Sequence, residues 1–369
     1  MKKILITGIR GIPASHGGFE TFAESLSLYL VSKGWEVTVY CQESSSDFSQ
    51  MHESEWKNVR CIHIPVTGAS ALATIKFDFL TVKHALNESG LVLTLGYNTA
   101  LFNALFRFKS IVNIINMDGI EWKRDKWKWY ERMWLYLNER AGCIIGNHLV
   151  ADHPEIKRHL STRVSENKIT MIPYGAREVL SADKKRIENF GLSINEYAIV
   201  IARPEPENSI LEIVRAYSSV PRRHKLVVLG SYDIDNDYHM SVKSSANSDV
   251  IFLGAVYDHS DLDALRFFSS IYIHGHTVGG TNPSLIEALG AGQPVLAHDN
   301  AFNRWVAGDG AVYFDSEKQC AEALDIVLNS KSHIENMSIK SRQRFSESFS
   351  WNKIHDQYES LLSRWVIQE

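Results

Sequence analysis

Apolar positions along this chain gather in short continuous runs, separated by amphipathic stretches. In the first half the runs are "KKILIT" (Lys2–Thr7), "WEVTVYC" (Trp35–Cys41), "VRCIHIP" (Val59–Pro65), "LVLTLG" (Leu91–Gly96), "SIVNIIN" (Ser110–Asn116), "GCIIGN" (Gly142–Asn147) and "KITMIP" (Lys168–Pro173). Most do not alternate with polar residues, as expected of strands covered on both faces. Between them lie helix-like segments. In Glu20–Lys33 the residues Phe22, Leu26, Tyr29 and Leu30 share one face at offsets of four, seven and eight, and Gly34 follows as a stop. Strand, helix and strand in alternation predict a parallel sheet wound on both faces.

The pattern restarts after "PYGA" (Pro173–Ala176). The strands are then predicted in "YAIVIA", "HKLVVLG", "DVIFLG", "IYIHG", "PVLAHD" and "GAVYF", with helices at Ser209–Ser218, Ser260–Phe268, Pro283–Leu289 and Gln319–Leu328. This predicts an α/β protein of two Rossmann-like, doubly wound domains facing across a cleft. The first spans 1–175 and the second 176–350, and an amphipathic helix in 351–369 crosses back to the first. In such sheets ligands bind beyond the carboxyl ends of the strands.

Bulk properties narrow the function. The 369 residues exceed what one ordinary core supports. Hydrophobic residues make up 44% and charged residues 22%, ordinary for a globular enzyme. A net charge of −4 gives no general attraction for nucleic acid, so any bound anion needs a local site. The four cysteines show no C-x-x-C spacing and read as reduced, buried thiols of a cytoplasmic protein. Neither a signal peptide nor a membrane span is expected, although contact with a membrane surface is compatible with the pattern.

The candidate chemistry sits in four stretches. "GIRGIPASHGGFET" (Gly8–Thr21) follows a strand and precedes a helix; it suits a phosphate cradle, a sugar pocket or a tight turn. Its spacing is neither the dinucleotide nor the Walker pattern. In "IARPEPENS" (Ile201–Ser209), Arg203 is placed to reach a phosphate, and Glu205 to hold that arginine or touch a sugar. In "HGHTVGGTNPSLIEALGAGQPVLAHD" (His274–Asp299), Pro283 fits a first helical turn, so amides around Asn282–Leu285 would meet a diphosphate and Glu287 a ribose. In "NMDGIEWKRDKWKWYERMW" (Asn116–Trp134), Asp118 ends a strand. Trp127, Tyr130 and Trp134 there are expected to form a helical stripe, read either as internal packing or as a membrane-facing surface. "DIDND" (Asp233–Asp237) fails as a calcium loop because Tyr238 and Ser244 stand where Gly and Glu are needed. The histidines form no metal-binding spacing, and no metal site is predicted.

Together, "GGFET", "PYGA", "IARPEPEN" and "TNPSLIEALGAGQPV" resemble the retaining GT-B glycosyltransferases of family four across nearly the whole chain. "GIRGIP", "DGIEWKR", "RPEPEN" and "HGHTVGGTNPSLIEA" are more narrowly similar to the bacterial dTDP-rhamnosyltransferase branch. The resemblance implies transfer of rhamnose from dTDP-rhamnose to a saccharide or lipid-linked saccharide, in surface polysaccharide synthesis, without a cofactor or metal. It implies Asp118, Arg203 and Glu287 as the catalytic group. Donor contacts are implied for Gly17, Gly18, Arg203, Glu205, Gly280, Thr281, Asn282, Ser284, Leu285 and Glu287, and acceptor contacts for Arg10, Glu20 and Glu121. Three departures stand out. Asn208 lies near a position where many relatives carry Lys, Gly279 stands where a first Glu is common, and Asp118 appears where many carry His. The alternatives are a transferase using another UDP- or GDP-sugar, or a nucleotide-sugar epimerase on the same fold.

Overall fold

The structure is a computed structural model that describes residues 2–15, 17–44, 50–68 and 70–366. Most of the polar loop expected at Glu43–Gln50 lies outside these residues. The chain divides into two compact units, Met1–Pro173 with Trp351–Glu369, and Tyr174–Ser350.

The strands of the first unit are β1 (Lys3–Thr7), β2 (Glu36–Glu43), β3 (His52–Trp56), β4 (Val59–Pro65), β5 (Leu91–Leu95), β6 (Asn113–Asn116), β7 (His148–Ala151) and β8 (Ile169–Met171). They form one sheet in the order β3-β4-β2-β1-β5-β6-β7-β8. The central strands are buried along nearly their whole length, which explains their continuous apolar runs.

Two sequence-based expectations fail here. The sheet is not wholly parallel, because β3 pairs antiparallel with β4 at its edge. The connecting residues Lys57 and Asn58 both take positive φ (48° and 64°), matching the twist of a two-residue hairpin turn. The sequence "HESEW" has no apolar run to announce an exposed edge strand. The second failure is "GCIIGN", whose residues through Ile145 belong to the helix Trp129–Ile145; the strand begins at His148. Leu135, Asn138, Glu139, Gly142 and Cys143 make that helix's buried face, and a side chain at Gly142 would press on Met117 at 3.3 Å. A short apolar run cannot by itself distinguish a buried helix end from a strand.

The helix Trp351–Ser363 belongs to this first unit. Tyr358 packs on Phe22 with ring centroids 4.8 Å apart, and Lys2 pairs with Glu359 at 2.8 Å.

The second unit contains β9 (Tyr197–Ile201), β10 (Lys225–Leu229), β11 (Val250–Gly254), β12 (Ile271–His274), β13 (Val295–His298) and β14 (Val312–Phe314). They form a six-stranded parallel sheet in the order β11-β10-β9-β12-β13-β14. Alternate residues of β9 enter different cores. Tyr197 and Ile199 join one cluster with Leu285 and Phe345, while Ala198 and Val200 join another with Ile213 and Leu324. The sheet is therefore covered on both faces. No helix among the described residues is long and apolar enough to cross a membrane.

Candidate active site

In the second unit, Arg203 lies just beyond β9, exposed, and its guanidinium has no partner among the described residues. The expected pairing with Glu205 does not form. Glu205 instead uses its backbone N–H, which donates to the Arg203 carbonyl at 2.7 Å. The buried Asn208 side chain donates to the same oxygen at 2.8 Å. Asn208 thus supplies no phosphate-neutralising charge. It fastens the loop that presents Arg203.

The loop after β12 is seated on this one. Thr277 donates to the Glu207 carbonyl through its N–H (2.9 Å) and its hydroxyl (3.0 Å). A Cβ at Gly275 would fall 2.2 Å from the Asn208 carbonyl oxygen, so only glycine allows this approach. From the other side, Asn300 and Asn303 donate to the His276 carbonyl at 2.9 and 2.8 Å. Gly279 has φ of +135°, and a side chain there would meet Asn282 at 2.9 Å. The position where relatives often carry a first Glu is closed by this geometry.

Asn282 precedes the helix Pro283–Gly290, and its side chain makes no capping bond. Gly280, Thr281 and Asn282 form the approach to this end, with Thr281 buried. Two of the expected donor contacts have partners within the protein. Leu285 is fully buried in the core, and its N–H donates to the Asn282 carbonyl at 3.2 Å. Ser284 bonds through its side chain to Tyr272.

Glu287 is likewise not a freely solvated carboxylate. Its Oε2 accepts from Arg266, a buried arginine on the helix His259–Phe267. Sequence reading missed this arginine, which lies 21 residues away. It also missed the histidines behind the loop. His274 stacks on His276 with centroids 4.2 Å apart, and burial, then His276 and His298, hold His274 well below the usual histidine range. His274 is therefore neutral at physiological pH.

In the first unit, the glycine-rich loop is tied back to the helix Gly18–Ser32. Glu20 accepts from the Arg10 N–H at 3.2 Å, and Glu24 accepts from the Ala14 N–H at 2.6 Å. Gly17 caps the helix with φ of 102°, and a Cβ there would lie 2.1 Å from a Glu20 carboxylate oxygen. Gly18 opens the helix, which has no side-chain cap. Glu20 thus shapes the loop as well as facing the cavities beside it. The Arg10 side chain is exposed.

Arg10 and Glu20 line two cavities of this unit. One, of about 480 Å³, also includes Gly11, Gln42, Glu43 and His63. The other, of about 1020 Å³, is bounded by Leu72, Ile75, Asp78, Thr99, Trp127, Tyr130 and Trp134. Burial pushes the Asp78 carboxyl up to about 6, opposed by a hydrogen bond from Thr99 at 2.7 Å. No motif marks Asp78; it is one carboxylate within the helix Ala71–Ala85.

Asp118 follows β6 in the left-handed region, with φ of 50°. Its N–H donates to Asn116 Oδ1 at 3.0 Å, and Asn116 Nδ2 donates to the Tyr358 hydroxyl at 2.8 Å. Burial, then the charges of Glu121 and Asp152, raise the Asp118 carboxyl to about 7. Glu121 pairs with Arg124 at 2.7 Å, and its N–H donates to the Tyr97 hydroxyl at 2.9 Å. Asp118 and Glu121 therefore belong to one electrostatic cluster.

The aromatic stripe is rearranged. Trp127 precedes the helix, and with Tyr130 and Trp134 it lines the larger cavity; Trp134 Nε1 donates to the Asn98 carbonyl at 2.8 Å. The outward stripe is Trp129, Met133, Leu137 and Ile144, all exposed, with Trp129 at 78%.

These arrangements match known families. Residues 183–346 match the family model described as "Glycosyl transferases group 1". That match lies wholly within the second unit. Residues 1–177 match a domain of unknown function, DUF1972. The capsular polysaccharide biosynthesis glycosyltransferase CapM of Staphylococcus aureus is 23% identical over 256 residues, covering 63% of this chain and 65% of that protein. The chain therefore spans just under two thirds of that relative's length.

Among solved structures, sucrose-phosphate synthase from Thermosynechococcus elongatus superposes with a TM-score of 0.83 at 15% identity, covering 99% of both chains. Anabaena HepE, solved with UDP, gives 0.75 at 13% identity, covering 99% of this chain and 100% of the other. The trehalose 6-phosphate synthase of Burkholderia multivorans gives 0.75 at 11%, covering 98% and 96%. The fold is GT-B, built of two Rossmann-like α/β domains whose sheets are parallel apart from the edge strand β3.

Proposed function

We propose that this chain is a retaining glycosyltransferase that moves rhamnose from dTDP-rhamnose to a saccharide or lipid-linked saccharide in bacterial surface polysaccharide synthesis. The observation that carries the reading is the exposed, uncommitted guanidinium of Arg203, on a loop locked by Asn208 and Thr277 to the loop that opens the helix Pro283–Gly290. Glycosyl transfer develops positive charge on the sugar and negative charge on the departing diphosphate. A fixed cation beside helix N–H groups stabilises that state more than the ground state.

In this reading the diphosphate meets Arg203 and the backbone around Gly280–Asn282, and Glu287, oriented by Arg266, receives hydroxyls of the nucleotide sugar. Asp118 contacts the transferred sugar; Gly17 and Gly18 approach the donor, and Arg10, Glu20 and Glu121 approach the acceptor. The leaving phosphate takes the acceptor proton on the same face, which retains configuration. The relative named for capsular polysaccharide biosynthesis supports the process. The apolar wall of the larger cavity and the outward stripe of Trp129, Met133, Leu137 and Ile144 suit a lipid-linked acceptor, with the enzyme resting on the inner face of the plasma membrane.

A screen of dTDP-, UDP- and GDP-sugars with lipid-linked and synthetic saccharide acceptors tests this. Acceptor-dependent consumption of dTDP-rhamnose is expected. A clear preference for a UDP- or GDP-sugar overturns the rhamnosyl assignment, and donor turnover without acceptor overturns transfer itself.

A further inference from the structure

We propose that Glu43, His52 and His63 bind a transition-metal dication of the zinc class at the edge of the first unit's sheet. His52 on β3 and His63 on β4 are direct cross-strand partners. Their rings stack with centroids 4.5 Å apart and planes 3° from parallel. Glu43 ends β2 on the other side of β4; Cys41 is the partner of His63, and Glu43 lies two residues further along the same face. Its Oε2 is 3.9 Å from His63 Nδ1. One ligand atom from each of the three residues lies within 4.8 Å of the others.

The surroundings suit coordination. Ser54 Oγ is 2.7 Å from His63 Nε2, which holds the ring with Nδ1 toward Glu43. Histidine ligands are commonly oriented in this way through their second nitrogen. Two imidazoles and one carboxylate favour zinc, cobalt, nickel or copper over magnesium or calcium, which prefer all-oxygen sets. Ligands roughly 2.0–2.2 Å from one zinc ion stand closer together than these atoms do, so small side-chain rotations complete the site.

The ion has a defined structural task. β3 is a polar edge strand whose middle residues Glu53, Ser54 and Glu55 are exposed, so little apolar burial holds it to the sheet. Coordination links it to β2 across β4. Glu43 and His63 also line the smaller cavity with Arg10 and Glu20, so a remaining coordination position would face that space. Neither the donor site nor the proposed transfer reaction is needed for this inference.

Isothermal titration of the metal-stripped full chain with ZnCl2, and visible absorption on adding CoCl2, test it. One ion per chain is expected, with the absorption of low-coordinate cobalt, and excess MgCl2 does not displace it. Glu43→Gln, which preserves size, and His52→Ala, on the exposed edge strand, each weaken binding at least about tenfold, and Ser54→Ala weakens it by about the same factor through orientation. Circular dichroism selects a temperature at which all variants are native. Unchanged stoichiometry and affinity in both Glu43→Gln and His52→Ala overturn the proposal, as does failure of the parent chain to bind zinc. Displacement by magnesium overturns the metal class.

Discussion

The side-chain amide of Asn208 donates to the main-chain carbonyl of Arg203 at 2.8 Å, within a residue that is only 5% exposed. This bond connects a buried core position to an exposed candidate for gripping a phosphate. Replacing Asn208 by Ala removes a buried donor and is expected to cost about 1–2 kcal/mol of stability. The rate should suffer more, because a loosened Arg203 no longer meets the leaving group in a fixed place. Calorimetry and kcat/KM measured on the same preparation check both. A variant that loses stability but keeps its rate removes the positioning role.

Arg266 and Glu287 form an ion pair with one buried partner. Glu287→Ala leaves the Arg266 guanidinium without its carboxylate, and a loss of about 1.5–3 kcal/mol is expected. Glu287→Gln keeps a hydrogen-bond acceptor and should lose less stability, so it is the better variant for testing donor binding. Arg203→Ala should unfold no more readily than the parent, since its side chain has no partner among the described residues. Denaturant melts of the three variants separate these outcomes.

Asp118 sets a pH dependence. Its carboxyl is raised from the usual 3.8 to about 7, so the folded state holds a proton that the unfolded chain has released. Stability should therefore fall as pH rises from about 4 to about 7 and then level off. Asp118→Asn, which tolerates the positive φ, removes this slope. Its stability gain over the parent should grow across that window and stay constant above it. Thermal melts at pH 4, 6 and 8 follow the difference.

Tyr358→Phe removes the acceptor for Asn116 Nδ2 while leaving the ring on Phe22. A loss of about 1–2 kcal/mol is expected from the stranded amide. Because Asn116 also accepts from the Asp118 N–H, the variant should lower transfer activity as well. Comparison with Tyr29→Phe, whose hydroxyl bonds Asp356 on the same helix, distinguishes a local effect at Asp118 from general loosening of that helix.

The outward stripe predicts membrane contact. The double change Trp129→Ser and Met133→Ser should reduce co-flotation with anionic liposomes at least about tenfold, since each side chain contributes about 1.5–3 kcal/mol of apolar burial. The fold should be unaffected because both positions are already exposed. Equal flotation of parent and variant would remove this surface from the proposed function.

The local code in the sequence carried much of this protein. Continuous apolar runs marked most strands because both sheet faces are covered, and "TNPSLIEALG" announced a helix through Pro283 at its first turn. Glycines marked the loops where backbones touch, such as Gly275 against Asn208. Tertiary structure decided what depends on distant partners. Edge strand β3 has too few apolar residues to register as a run, and the run from Gly142 is helix as far as Ile145 because the buried residues there continue the period of the helix Trp129–Ile145. Arg266 reached Glu287, Tyr358 reached Asn116 across 242 residues, and Asn208 turned toward Arg203. Glu43, His52 and His63 met only through the registers of β2, β3 and β4. Periodicity reports which side of an element is buried. It does not report which atoms wait there, because that depends on packing and register set by the whole unit.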